Sequence, residues 1–279
     1  MFKASFSCSV IGNQVNEDYA AVGPSFAVLL DGASGITGAR VLPHHSGSDA
    51  QWFSHFVGGR ICKYLDADRG VIDSIRLAVD DSRDFIGEYG VTENEDLFPS
   101  STLVVVSVAG DWVDIVSLGD SPVFIGLKDG SLVTMSDSRI AELDQAAVDA
   151  MVDHSRGNAM TGVQKRAAVN DILLVNRQLK NKPDGYWILD PSGVALEHLN
   201  VRRFCIEDID YVCAVSDGLE RAFNLFGLAD PAAFLADATR ESFDELLVRL
   251  RAEENLDPDF DRYPRLKLHD DASCFMLRL

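Results

Sequence analysis

The chain has 279 residues, 47% of them hydrophobic, and sets 44 Asp plus Glu against 25 Lys plus Arg for a formal net charge of −19. Such a charge repels phosphate backbones and anionic lipid surfaces, so neither a nucleic-acid nor a membrane partner is expected. It also repels phosphorylated substrates, so phosphate chemistry here would need cations in the site.

In chain order, residues 2–10 read as a first strand, followed by a polar turn over 12–16 and the triplet Asn16-Glu17-Asp18. Ala20-Ala21-Val22 and the apolar run 26–30 (FAVLL) read as the next strands, the second stopping at Asp31-Gly32. Gly, Ser, Pro and His dominate 32–48, which reads as a loop. Ser48 or Asp49 then caps a helix to about Leu65, with Trp52, Phe53, Phe56, Val57, Ile61 and Tyr64 on one side as core. A second helix covers 71–89. From 102 the pattern turns β-branched: 102–109 (TLVVVSVA), 111–118 (DWVDIVSL), 123–127 and 131–135 form an antiparallel meander, with Lys128-Asp129-Gly130 as a hairpin turn. Stretches 137–153 and 161–180 read as helical, with an exposed joint near Gly157. A strand is expected at 186–189 (YWIL), a mixed β pattern over 194–209, and a buried strand at 211–215 stopping at Ser216-Asp217-Gly218. Helices follow at 219–226, 231–239 and 241–254. The last strand, 272–279, is preceded by Asp270-Asp271. Helices thus come in pairs between blocks of antiparallel strands. Two antiparallel sheets packed face to face, with helix pairs outside, account for this: an α+β, four-layer αββα sandwich.

No Pro/Ser-rich linker, low-complexity tract or internal repeat interrupts the pattern, so one domain is expected over 1–279. The cysteines (Cys8, Cys62, Cys205, Cys213, Cys274) are odd in number and lack a C-x-x-C spacing, and read as free thiols of a reducing compartment. Residues 1–10 carry no long apolar segment of a signal peptide, and no run reaches the ~20 residues of a membrane span. A cytoplasmic protein is expected.

Acidic residues recur where apolar strands end or begin. Asp31 follows FAVLL, Asp120 follows VDIVSLG, Asp217 follows YVCAVS, Asp270 precedes ASCFMLRL, and Glu17 and Asp18 open a strand. Carboxylates gathered at one sheet edge repel one another and either hold protons or bind cations. Oxygen ligands without a partner His or Cys favour Mg²⁺, Mn²⁺ or Ca²⁺ over zinc. Two such ions would generate a nucleophilic hydroxide and neutralise phosphate charge. Asp129-Gly130 and Asp184-Gly185 read as turns. His44-His45 are adjacent loop residues and are not taken as ligands, and the alternating acids of 257–261 (DPDFD) read as a solvated loop, lacking the Gly and final Glu of a calcium-binding EF-hand.

The ordered set N-E-D, L-L-D-G, S-T-L, L-G-D-S, S-D-G-L and D-D-A-S, spanning 16–273, resembles the metal-dependent protein phosphatases, the type 2C serine/threonine phosphatases, in their bacterial form. The resemblance implies the αββα fold, a Mn²⁺ or Mg²⁺ pair with a weaker third ion, a metal-activated water as nucleophile, and phosphoserine or phosphothreonine in proteins as substrate, in a signalling role opposing a kinase. It implies that Asp31 bridges both metals and the Gly32 carbonyl binds one. Asp217 and Asp270 hold one metal, Glu17 binds the other through water, Asp18 lies near the cluster, and Asp120 reaches the third. Asp31 and Asp217 are thereby the catalytic pair. Residues 137–190 contain the flap. Three positions depart from the pattern. Asn13 stands where the family has its phosphate-gripping arginine, and Arg40, in the loop after Asp31, is the candidate substitute, so both are taken as substrate-binding positions. Ala33 replaces a histidine, and Arg221 an aspartate that helps hold the third metal. The expected partner is a phosphoprotein, and the expected state a monomer. The alternatives are a phosphatase-like regulatory or binding module with little or no turnover, and a metal phosphoesterase for small molecules.

Overall fold

The run 26–30 is buried at every position, which a strand achieves only when both its faces are covered. The structure, a computed structural model, describes residues 2–33, 39–92 and 94–279; residues 34–38 of the expected loop lie outside the described residues. In chain order the elements are β1 (Ala4–Val10), β2 (Tyr19–Val22), β3 (Phe26–Leu30), β4 (Gly32–Ala33), α1 (Asp49–Asp66), α2 (Val71–Tyr89), β5 (Ser100–Ser101), β6 (Leu103–Ala109), β7 (Trp112–Leu118), β8 (Val123–Leu127), β9 (Leu132–Met135), α3 (Arg139–Ser155), α4 (Gly162–Ala168), α5 (Asn170–Arg177), β10 (Asn200–Cys205), β11 (Ile209–Val215), α6 (Asp217–Asn224), α7 (Pro231–Ala236), α8 (Arg240–Leu256) and β12 (Ala272–Arg278).

Two five-stranded sheets form, ordered β1-β12-β11-β8-β9 and β10-β7-β6-β3-β2, with β4-β5 as a two-stranded ribbon. All the pairings are antiparallel. The period-2 alternation of a strand sorts its side chains between layers. Ala27 and Leu29 of β3, Val104 and Val106 of β6, Val212 and Ala214 of β11, and Phe275 and Leu277 of β12 meet between the sheets. The alternate residues Phe26, Val28, Leu30, Leu103 and Val105 face α1 and α2, packing with Phe53, Val57, Ile61 and Ile75. On the other sheet Cys213, Val215, Cys274 and Met276 pack under α6–α8 with Leu219, Phe243, Leu246 and Leu250. These are the four layers expected. Deleting one fully buried side chain from them, as in Leu29→Ala, costs ~2–5 kcal/mol in transfer and cavity terms.

Helix α1 begins where expected: the Ser48 hydroxyl accepts the Gln51 N–H at 3.0 Å, satisfying an otherwise orphaned donor of the first turn. The remaining helices differ in detail. The second helical stretch, 161–180, breaks at Val169 into α4 and α5 and ends at Arg177. Residues 186–189 are not a strand: Leu189 makes a single bridge to Ser101 and Tyr186 one to Lys180. The apolar residues are buried all the same (Tyr186, Ile188, Leu189), which is what mimics a strand pattern. Helices α3 and α5 rest on the 257–268 segment through a small separate core of Ala147, Val148, Met151, Val169, Leu173 and Phe260. That segment is not the solvated loop expected. Asp257 and Arg265 are both buried and paired at 2.8 Å, and the Asp257 carboxylate also accepts the N–H groups of Asp261, Arg262 and Tyr263. The cysteines are free thiols. Among the described residues no helix is long and apolar enough to cross a membrane.

Candidate active site

Antiparallel pairing delivers alternate strand starts and strand ends to one edge, and both sheets present the same end of the sandwich. Tyr19 at the start of β2 pairs with Leu30 at the end of β3, and Val215 at the end of β11 pairs with Cys274 near the start of β12. Glu17-Asp18, Asp31, Asp217 and Asp270-Asp271 are the residues just beyond these pairs.

The backbone is fixed there by specific contacts. The Asp31 N–H donates to Thr102 Oγ1 at 3.2 Å and the Asp31 carbonyl accepts the Thr102 N–H at 2.9 Å, so the threonine of the S-T-L motif is a clamp for Asp31. A Cβ on Gly32 would lie 2.5 Å from the Glu17 carbonyl oxygen, so only glycine lets the Glu17 segment approach this closely. Asp217 opens α6, and its N–H donates to Asp31 Oδ2 at 3.3 Å. A Cβ on Gly218 would lie 2.1 Å from the Asp271 carbonyl oxygen. The Asp271 carboxylate accepts the N–H groups of Gly12 and Glu17, each at 2.7 Å, and so ties the first acidic motif to the last. Asp120 follows Gly119 in the β7–β8 turn, and its carbonyl accepts the Ser136 hydroxyl at 3.0 Å.

These carboxylates press on one another. Burial, and then Asp18, Asp217, Asp270 and Asp120, push the Asp31 carboxyl well above its ordinary range. Burial and then Asp217 do the same to Asp120. Asp217 is raised by burial and Asp270, against the pull of Arg221 and Lys267. Asp18 is pushed up to about 8, by burial and then by Asp271 and Asp217; its Oδ2 is buried without a hydrogen-bond partner. Asp270 is the exception. Burial would raise it, but Lys267 Nζ at 2.9 Å and Arg221 Nη2 at 2.8 Å hold it below the usual carboxylate range.

A cavity of about 790 Å³ opens over this floor. Asp31, Gly32, Asp120 and Asp217 line it with Thr102, and the facing wall comes from α3–α5 and the 186–188 and 266–267 segments. That wall carries charged residues the motifs do not indicate: Asp144, Arg166, Arg177 and Lys267. Burial and then Asp217 raise the Asp144 carboxyl, while Lys267, Arg177 and Arg166 oppose the shift, so one carboxylate senses both the acidic floor and the cationic wall. Glu220, one turn into α6, is pushed up to about 7 by burial and then Asp217. Glu17, Asp18 and Asp270 are outside the lining, as are Asn13 and Arg40. The Asn13 amide donates to the His269 carbonyl at 3.2 Å. The Arg40 guanidinium is engaged by the carbonyls of His45 and Gly47 and the carboxylate of Asp49.

The donor set fits a hard divalent cation: buried carboxylate oxygens in excess of their cations, one of them unpartnered, with no thiol or imidazole in the cavity lining. Among the described residues, no three Asp, Glu, His or Cys side chains already converge on one point as a finished metal cage.

The family model described as Protein phosphatase 2C matches residues 10–261. Solved structures of similar fold include the serine/threonine phosphatase PstP/Ppp of Mycobacterium tuberculosis, 17% identical with a TM-score of 0.57 over 99% of this chain and 98% of that one. The catalytic domain of PstP in complex with two manganese ions is also 17% identical, with a TM-score of 0.57 over 99% of this chain and 97% of that one. PppA of Pseudomonas aeruginosa, a regulatory component of its T6SS, is 18% identical with a TM-score of 0.56 over 99% and 96%. A search of curated protein sequences finds no match.

Proposed function

The chain belongs to the protein phosphatase 2C family, and from that premise we propose that it is a metal-dependent phosphatase that hydrolyses phosphoserine and phosphothreonine in proteins. The observation that carries this reading is the floor of mutually repelling carboxylates, Asp31, Asp120 and Asp217 with Asp18 behind them, under a cavity whose facing wall is cationic. Asp31, Asp217 and Asp270 would hold one Mn²⁺ or Mg²⁺. Asp31, the Gly32 carbonyl and Glu17 would hold a second, Asp18 would sit beside the pair, and Asp120 would serve a weaker third. The PstP catalytic domain, of the same fold, is described with two manganese ions. Bound cations supply the charge that lets water attack a phosphorus centre. The chain's own residues position the rest: Thr102 fixes Asp31 through two hydrogen bonds, Asp271 fixes the Glu17 segment, and Ile140, Leu143, Leu173 and Ile188 give the cavity its apolar lining.

One observation favours a second reading, a phosphatase-like binding module with little turnover: Asp270 already has two cationic partners. Hydrolysis of p-nitrophenyl phosphate and of a phosphothreonine peptide, measured in EDTA and then with added Mn²⁺, separates the two. The phosphatase reading expects activity lost in EDTA and restored by Mn²⁺. Full activity with metal shown absent by elemental analysis, or none at any Mn²⁺ concentration, defeats it. A phosphorylated-metabolite panel set beside the peptide separates a protein phosphatase from a small-molecule phosphoesterase.

A further inference from the structure

We propose that Arg166, with Arg177 beside it, grips the phosphate of a phosphate-monoester substrate from the α4–α5 wall of the cavity, in place of the arginine that position 13 lacks. The proposal rests on the phosphatase reading of the carboxylate floor.

None of the three positions nearest to hand by motif offers an uncommitted cation. Asn13 carries no charge and its amide is turned to the His269 carbonyl. Arg40 is held by its own loop and by Asp49. Arg221 is bonded to Asp270 at 2.8 Å and lies 3.7 Å from the buried Glu254 carboxylate. Yet a chain of net charge −19 puts Arg166, Arg177 and Lys267 on one cavity wall. Lys267 is bound to Asp270. That leaves Arg166, with Arg177, itself bonded to the Tyr186 hydroxyl, on the same wall.

Arg166 is the more telling. It is half-buried and lines the cavity, and among the described residues its guanidinium has neither a hydrogen bond nor an ion pair. Burial accordingly lowers its pKa, with Asp144 acting against the loss of charge. A desolvated guanidinium with its planar fork of donors unused matches a phosphate, which accepts two parallel hydrogen bonds from it. Arg177 is held against the Tyr186 hydroxyl, which also lines the cavity. Both arginines act on Asp144, and so does Asp217 of the floor. The arginines and the carboxylate floor therefore line one cavity, within electrostatic reach of one carboxylate.

The helix that carries Arg166 is also fixed in place. Thr161 caps α4: its hydroxyl accepts the Gln164 N–H, and the Gln164 side-chain oxygen accepts the Thr161 N–H. The Gly162 N–H donates to the Asp259 carboxylate at 3.0 Å. Lys165, the residue before Arg166, is buried and bonded to the Asp259 carbonyl and the Asp261 carboxylate. A guanidinium on a pinned helix loses less freedom on binding than one on a loop.

The test uses the full chain saturated with Mn²⁺ and the variants Arg166→Ala, Arg166→Lys and Arg177→Ala. Arg156→Ala, which removes an exposed partner of Asp153 outside the cavity, is the control. Three quantities are read: KM and kcat on one phosphopeptide, the inhibition constant of inorganic phosphate, and the Mn²⁺ dissociation constant by calorimetry. Arg166→Ala is expected to raise KM and the phosphate inhibition constant about 10- to 100-fold, the loss of a charge-assisted bond. Arg166→Lys recovers part of it, keeping the charge but not the fork. Arg177→Ala has a smaller effect of the same sign, and Mn²⁺ affinity and the control stay within about twofold. If both alanine variants fold, bind Mn²⁺ normally and leave KM and the phosphate constant within twofold, the proposal is overturned. If an alanine variant fails to fold, Arg166→Lys decides, and unchanged constants for it overturn the proposal too. Should the wild type show no Mn²⁺-dependent turnover, the phosphatase reading fails by itself. Calorimetric binding of inorganic phosphate to the Mn²⁺-saturated protein then judges the arginines: loss of binding in Arg166→Ala upholds them, and equal binding overturns them.

Discussion

Asp18→Asn is expected to stabilise the protein in EDTA, by an amount that grows with pH. Asp18 is 2% exposed, one of its oxygens has no partner, and its folded-state pKa is pushed up to about 8 from 3.8. An unfolded chain ionises the group near 3.8. Below about pH 4 both states keep the proton and the group is neutral to stability. Between about pH 4 and 8 the folded state retains a proton that the unfolded state releases, so stability falls as pH rises, and above about 8 the loss is complete. At 1.36 kcal/mol per pH unit the full gap is ~6 kcal/mol as a ceiling. The substituted amide nitrogen has no acceptor at the Oδ2 position, which costs ~1–3 kcal/mol. A net gain of at most ~3–5 kcal/mol at pH 8.5 remains, or ~6–10 °C in Tm for a chain of this size. At pH 5 only ~1–2 kcal/mol of the penalty has developed, and the amide cost cancels it. Scanning calorimetry of both proteins in EDTA from pH 5 to 8.5 measures this. A Tm difference that stays flat across the range, or a variant less stable than wild type at pH 8.5, refutes the claim that Asp18 is held against its charge.

Asp31→Asn and Asp217→Asn are each expected to abolish most turnover and to weaken Mn²⁺ binding by at least tenfold, while raising Tm in EDTA, because each removes one charge from a self-repelling set; near-wild-type activity at saturating Mn²⁺ rules that residue out as a ligand. Gly218→Ala is expected to lower Tm by several degrees, ~1–3 kcal/mol of overpacking, since the new methyl would meet the Asp271 carbonyl oxygen 2.1 Å away; a Tm within 1 °C of wild type, read by thermal melting, shows that the Asp270-Asp271 turn moves freely.

The layers were legible because burial follows period. FAVLL and LVVVSVA are too apolar for a one-faced sheet, and their alternate residues do divide between the inter-sheet core and the helices. The helices α1 and α2 were legible from their apolar stripes and the serine cap. What misled was burial without pairing. Residues 186–189 have a strand's composition, and Tyr186, Ile188 and Leu189 are buried, but single bridges hold them, and composition cannot distinguish a buried irregular segment from a ladder. The 257–261 acids misled in the opposite direction. Asp257 is buried because Arg265, eight residues on, and three backbone N–H groups neutralise it, and no local pattern announces such a pairing.

The acidic floor and the cationic wall differed in legibility for a physical reason. Asp31, Asp120, Asp217 and Asp270 have short side chains on residues that end or begin strands, so backbone register largely decides where their oxygens go, and a glycine beside Asp31, Asp120 and Asp217 marks the place. Arg166, Arg177 and Lys267 reach the cavity from helices and a loop packed on a small separate core. Their long side chains span the gap, and their positions follow from how α3–α5 dock, which no motif encodes. Arg221 sits between these cases. As a departure from the family's aspartate it was visible, but its consequence was not: it is bonded to Asp270 and lies beside Glu254, which is fully buried. Glu254 is paired more closely by Arg251, at 2.7 Å against 3.7 Å, so the firm partner of Arg221 is Asp270. Lys267 is 53% exposed and makes one contact to the same carboxylate at 2.9 Å. Were a divalent cation held at Asp270, it would compete with both, and Lys267, the more exposed of the two, would be the partner with less to lose by turning toward the cavity it lines.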